Sequence, residues 1–140
     1  MSTVVIDALS NPAAAFTPLL TFGGGATGLT FANHSGYYIK IGSLVWFKLD
    51  IGLSAKGSST GAAVITGLPF TADTLSTMHC AITIGFASGF SSVAGGYTAI
   101  VAQGTTNIAV YQNATGTNAQ LTDANFTNAS RIIVSGWYSI

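Results

Sequence analysis

Charge is what this chain has least of. Only 6% of its 140 residues are Asp, Glu, Lys or Arg, against roughly a quarter in typical soluble domains. The basic residues are Lys40, Lys48, Lys56 and Arg131, the acidic ones Asp7, Asp50, Asp73 and Asp123, and glutamate is absent. Four scattered cations leave no electrostatic footprint for a phosphate backbone, which argues against nucleic acid as a partner. Catalytic groups are scarce as well. Glycoside hydrolysis uses two carboxyl groups flanking the scissile bond, and the four Asp are all that is on offer. His34 and His79 sit in unrelated segments without the spacing of a metal pair, and no G-x-S-x-G elbow is present. The expectation is a protein that is not an enzyme, with no catalytic residues, no metal and no cofactor.

Other absences narrow the class further. Cys80 is the only cysteine, so no intrachain disulfide can form. It alternates with Ile82 and Ile84 and is expected as a small buried hydrophobe. No window approaches the roughly 20 apolar residues of a membrane span, so no membrane insertion is expected. The Met1 end has no basic stretch followed by an apolar run, and no secretory signal is visible. No segment repeats apolar residues at i, i+3, i+4, i+7 over a helix's length.

What the chain does have is alternation. In residues 37–53 (YYIKIGSLVWFKLDIGL), Val45, Phe47, Leu49, Ile51 and Leu53 share one face of a strand. Leu44, Trp46, Lys48, Asp50 and Gly52 share the other. Period two over this length marks a half-buried strand, since successive side chains point to opposite faces. Gly42-Ser43 reads as a tight turn joining it to residues 37–41. Residues 131–140 alternate likewise. Ile132, Val134, Tyr138 and Ile140 lie on one face, and Arg131, Ile133, Ser135, Trp137 and Ser139 on the other.

Further strands are predicted at 19–22, 29–31, 62–66, 79–85, 97–102 and 107–112. A turn is expected at 33–36, and polar loops at 55–61, 88–96 and after 112. Pro12 and Pro18 interrupt regular structure, and the alanines between them give the one hint of a helical turn. Residues 1–15 are expected as a leader or arm and 16–140 as a single domain. Short strands with turn signals every 8–12 residues make an all-β sandwich or closed barrel.

Residues 23–28 (GGGATG) match G-x-G-x-x-G, but a dinucleotide site needs a helix to start there. LTFANH follows instead, so a hairpin loop is expected. Asp50 lies two residues from Lys48 on one strand face, which suggests an ion pair or a solvated pair, and Asp123 in LTDANF reads as a turn former or cap. With so little charge, copies of the chain repel one another weakly. Part of the neutral surface is therefore expected to be covered, most simply by copies of itself. Aromatic rings with Asn, Thr and Ser nearby suit glycans, and Trp46, Trp137, Tyr38 and Tyr97 are the candidate ligand-binding residues. The competing expectation is that both tryptophans are buried, in a second sheet or a subunit interface. For the Trp46 face the order of expectation is second sheet, then another subunit, then a sugar.

Residues 16–70, from FTPLLTFGGG through GYYIKIG and KGSSTG to ITGLPF, resemble a module of tailed-bacteriophage tail fibres and tailspikes. LTDANFTNASRIIVSGWYSI is similar to that module's closing strand. The resemblance implies an antiparallel, jelly-roll-like β-sandwich assembled as a homotrimer at the distal end of a fibre or spike chain. It also implies a place in the virion after synthesis in the host cytoplasm. Two functions follow from it. One is an adhesin for bacterial surface polysaccharide or lipopolysaccharide, using exposed aromatics and loops 23–28 and 88–96. The other is a trimerisation cap or folding aid that touches no receptor. Such modules usually end a longer polypeptide, whereas here Met1 lies a short leader upstream. An excised domain, a separately translated copy and a free-standing cap all stay open.

Overall fold

A computed structural model describes residues 13–75 and 78–140. The described residues form ten antiparallel strands: β1 (Ala14–Phe16), β2 (Leu19–Phe22), β3 (Thr30–Ile41), β4 (Leu44–Ala55), β5 (Ala63–Thr66), β6 (Cys80–Ser88), β7 (Tyr97–Val101), β8 (Ile108–Ala114), β9 (Thr117–Gln120) and β10 (Arg131–Ser139). They run in the order β1-β3-β4-β10-β6-β7-β8-β5-β2, with β9 continuing the β5 side of β8. The expected all-β sandwich is what the structure shows. Its two layers are joined through β6, which pairs with β7 over Cys80–Ile82 and with β10 from Thr83 onward.

The inner faces carry the alternating residues. Val45, Phe47, Leu49 and Ile51 of β4 and Ile132, Val134 and Tyr138 of β10 meet Leu20, Phe22, Ile65, Val101, Ile108 and Val110 of the second layer. Leu121 and Phe126 help to close one end, with the Phe126 ring edge-on to Phe22 and Phe90. Cys80 is half-buried and packs against this core.

Three local expectations are corrected. The turn at 33–36 does not exist, because β3 runs unbroken through it and takes up the irregularity as bulges between Thr30 and Asn33. Gly36 is there for a different reason. The Phe16 ring lies so close over it that a Cβ would sit 2.5 Å from ring carbons. The alanines before Phe16 form β1, pairing Ala14 with Tyr38 and Ala15 with Tyr37, rather than a helical turn. The polar loop expected after 112 contains β9, a hairpin partner for the end of β8. Residues 1–12 of the expected leader, including Asp7, lie outside the described residues.

Tyr138 pins the last strand to the ITGLPF segment. Its buried hydroxyl donates to the Phe70 carbonyl at 3.0 Å and accepts from the Phe70 N–H at 3.3 Å. Burial is the main cause that pushes its ionisation up to about 12, and burial shifts Tyr97 in the same direction. An unfolded tyrosine ionises near pH 10. From there to pH 12 the unfolded state gives up a proton that the folded state keeps, so stability is whole below pH 10 and falls through this window. The urea midpoint should therefore drop between pH 9 and 11.5. In Tyr138→Phe the drop should be smaller, and stability at pH 7 should be lower by about 1–2 kcal/mol because the Phe70 backbone loses its partner. An undiminished alkaline drop in that variant would show that Tyr138 is not its source.

Candidate functional site

The outward face of the first layer is assembled row by row from strand register. The two-residue Gly42-Ser43 turn pairs Ile41 with Leu44, Ile39 with Trp46, Tyr37 with Lys48 and Ser35 with Asp50. On the other side of β4, β10 places Trp137 beside Trp46, Ser135 beside Lys48 and Ile133 beside Asp50. Phe86 of β6 then extends the Asp50–Ile133 row. Directly opposed residues carry Cβ atoms about 5 Å apart, so the two tryptophans form one platform.

That platform is not covered by the second layer, contrary to the leading expectation, because the second layer packs on the Phe47 side of β4. Trp46 is 41% exposed, Trp137 59% and Tyr37 46%. Ile41, Leu44 and Phe86 are exposed with them, giving an apolar area of the kind that marks interaction sites.

Of the candidate residues, Trp46 and Trp137 come together and the two tyrosines stand apart from them. Tyr38 points to the inner side, half-buried, with its ring edge-on to Phe16 and Phe70. Tyr97 is half-buried against Phe90. Loops 23–28 and 55–61 pack on each other. Ser58 N–H donates to the Thr27 carbonyl at 3.0 Å, and Thr27 N–H donates to Ser59 Oγ at 2.9 Å.

The face grades from apolar to polar along the strands. Beside the tryptophan row lies a shallow depression of about 210 Å³, lined by Ser35, Tyr37, Lys48, Leu49, Asp50 and Ile133. Asp50 does not pair with Lys48 as expected. It takes Arg131 from β10, with Nε to Oδ1 at 3.0 Å and Nη2 to Oδ2 at 2.6 Å. A planar guanidinium matches both carboxylate oxygens at once, which an ammonium cannot do. Hydrogen bonding first and charge second raise the Arg131 guanidinium above its already high range. The same guanidinium lies 5.8 Å from the Phe86 ring centroid.

Sequence reasoning missed Tyr37 and Ile133 as neighbours of the tryptophans. Tyr37 was within reach, since a two-residue turn counts it onto Lys48, whereas Ile133 depends on a pairing between segments about eighty residues apart. Asp123 behaves as read. Its Oδ1 accepts from Gly61 N–H at 2.8 Å at the start of a single 3-10 turn, Asp123–Asn125. Among the described residues, no group of three or more His, Cys, Asp or Glu could hold a metal ion, and no helix is long and apolar enough to cross a membrane.

No protein-family model matches the chain, and no curated protein matches it. Among solved structures, the crystal structure of the Dettilon tailspike protein matches with a TM-score of 0.76 over 91% of this chain. Sequence identity is 19%, and the match spans 23% of that protein's length. At that identity the likeness is one of fold: this sandwich is similar to part of a tailspike.

Proposed function

We propose that the chain is a module of a bacteriophage tail fibre or tailspike that attaches to carbohydrate on the host surface through its outward tryptophan face. On this reading it carries no catalytic residues, it resides in the virion tail, and it works as a homotrimer, alone or joined to a longer fibre chain. The observation that carries the reading is the exposed Trp46–Trp137 pair on a tailspike-like fold. The C–H edges of a sugar ring are partly positive and pack on the negative faces of aromatic rings. Ser35, Ser135 and Lys48 flank the pair with donors and acceptors. The ligand is bacterial surface polysaccharide or lipopolysaccharide.

The second reading is a trimerisation cap without receptor contact. The specific observation in its favour is the extension of the apolar face to Ile41, Leu44 and Phe86 on a chain with so little charge. One double variant separates the two. If the tryptophans hold sugar, Trp46→Ala with Trp137→Ala weakens polysaccharide or host-cell binding about 30-fold or more, at roughly 1–2 kcal/mol per ring. Light scattering then shows an unchanged trimer. If they hold a neighbouring copy, the trimer dissociates instead. Wild-type protein that is a stable monomer contradicts both readings.

A further inference from the structure

Three of the four basic residues are accounted for by their surroundings. Lys56 pairs with Asp123, Arg131 pairs with Asp50, and the Lys40 ammonium lies 5.6 Å from the Phe70 ring centroid. Lys48 differs. It is exposed on the outward face, and among the described residues no carboxylate stands within ion-pair distance of it. The acid on its own strand face, Asp50, is two residues away, about 7 Å along the strand. Both oxygens of that carboxylate are taken by Arg131. Two cations against one carboxylate leave this face positive on a chain whose formal charge is zero.

The unmatched ammonium borders the depression lined by Tyr37, Ser35 and Ile133. An aromatic ring, a hydroxyl and an aliphatic wall are complementary to a sugar ring rather than to a bare ion. Trp46 lies two residues before Lys48, on the side away from Asp50, so an oligosaccharide seated at Lys48 runs on over the tryptophans. We infer that this depression is a subsite for a singly charged acidic sugar, with Lys48 Nζ as the counter-ion and Tyr37 as the ring contact. Arg131 is committed to Asp50, so one point charge is available and a monoanion matches it. Uronic or sialic acid carboxylates and sugar phosphodiesters share that chemistry. The inference rests on the carbohydrate reading and names the class of sugar.

The test uses the whole chain against immobilised bacterial surface polysaccharides. Each uronate- or sialate-bearing probe is paired with its carboxyl-reduced form, and each phosphodiester-bearing probe with a neutral homologue. The expected result is a preference of about tenfold or more for the charged member, the scale of one charge-assisted contact. Lys48→Met keeps the aliphatic stem and should abolish the preference, so that each charged probe binds it no better than its neutral partner does; Lys48→Arg should retain it. The carboxylate and phosphodiester arms tell which acid is used. Equal binding of charged and neutral members, or a preference that survives Lys48→Met, overturns the inference. Binding of neutral probes alone overturns it too but leaves the attachment reading standing. No binding to any probe removes both.

Discussion

Truncating Phe47 to alanine is expected to lower stability by about 3–5 kcal/mol, the range for removing a buried aromatic ring from a packed core. Phe47 has no exposed surface, and its ring meets that of Tyr138 edge-on at 5.8 Å between centroids. It belongs to the core cluster in which the two inner faces meet, so the hole cannot be filled by a small shift of a surface loop. The loss combines the transfer free energy of the ring with the unrelieved cavity. It also weakens the seat of Tyr138, whose hydroxyl ties β10 to Phe70. Denaturant titration reads the loss as a lower midpoint with an unchanged slope. Trp46→Ala, one residue away on the opposite face, is the internal control. That side chain is 41% exposed, and its loss should cost less than about 1 kcal/mol. Equal costs for the two variants would mean that the face assignment of β4 is wrong.

The contrast between neighbouring residues is also a measure of what the sequence discloses. Alternation in β4 and β10 is local, so both faces of both strands could be read from the chain, and the structure buries the side that was expected. The Gly42-Ser43 turn is local too, and it aligns Tyr37 and Ile39 with Lys48 and Trp46. What alternation cannot say is which strand lies beside which. That β10 inserts between β4 and β6 depends on segments far apart in sequence, and with it go the Trp46–Trp137 pair and the choice of Arg131 over Lys48 as partner for Asp50. Gly36 misled for a related reason. Glycine next to Asn-His-Ser looks like a turn, but here it makes room for a ring supplied by Phe16 of another strand. Tyr38 and Tyr97 show the limit of counting aromatics. Their rings pack on Phe16, Phe70 and Phe90 at the margins of the core, and residue type alone does not say so; for Tyr38 the count across the Gly42-Ser43 turn does, since it sets Tyr38 opposite the buried Phe47 and Tyr37 opposite Lys48.

The second large effect is expected at Gly57, inside the KGSSTG segment. Gly57 has φ of +73°, and a Cβ there would run into the Thr27 carbonyl oxygen, with Leu29 N at 2.7 Å and the Gly28 carbonyl carbon at 2.8 Å. All three are backbone atoms, so no rotamer change gives relief. The left-handed conformation alone costs an L-residue about 1–2 kcal/mol, and forced displacement of packed atoms typically adds about 1–3. Gly57→Ala should therefore lose about 2–5 kcal/mol. The damage should be local in origin but felt at a distance, because the segment is tied at several points. Ser58 and Ser59 bond to Thr27, the Lys56 N–H donates to Asn128 Oδ1 at 2.9 Å, and Lys56 Nζ donates to the Asp123 carbonyl at 2.9 Å. These bonds join the 23–28 loop to the turn that launches β10, the strand that carries Trp137. Loosening them should raise amide exchange across 23–28 and 122–130 before it does so in β7 and β8. Gly24→Ala in the same glycine run also has a positive φ but meets nothing within 4 Å, so it should lose only the backbone contribution. If the two variants were equally stable, close packing of the 55–61 connection on the glycine loop would not be what KGSSTG provides.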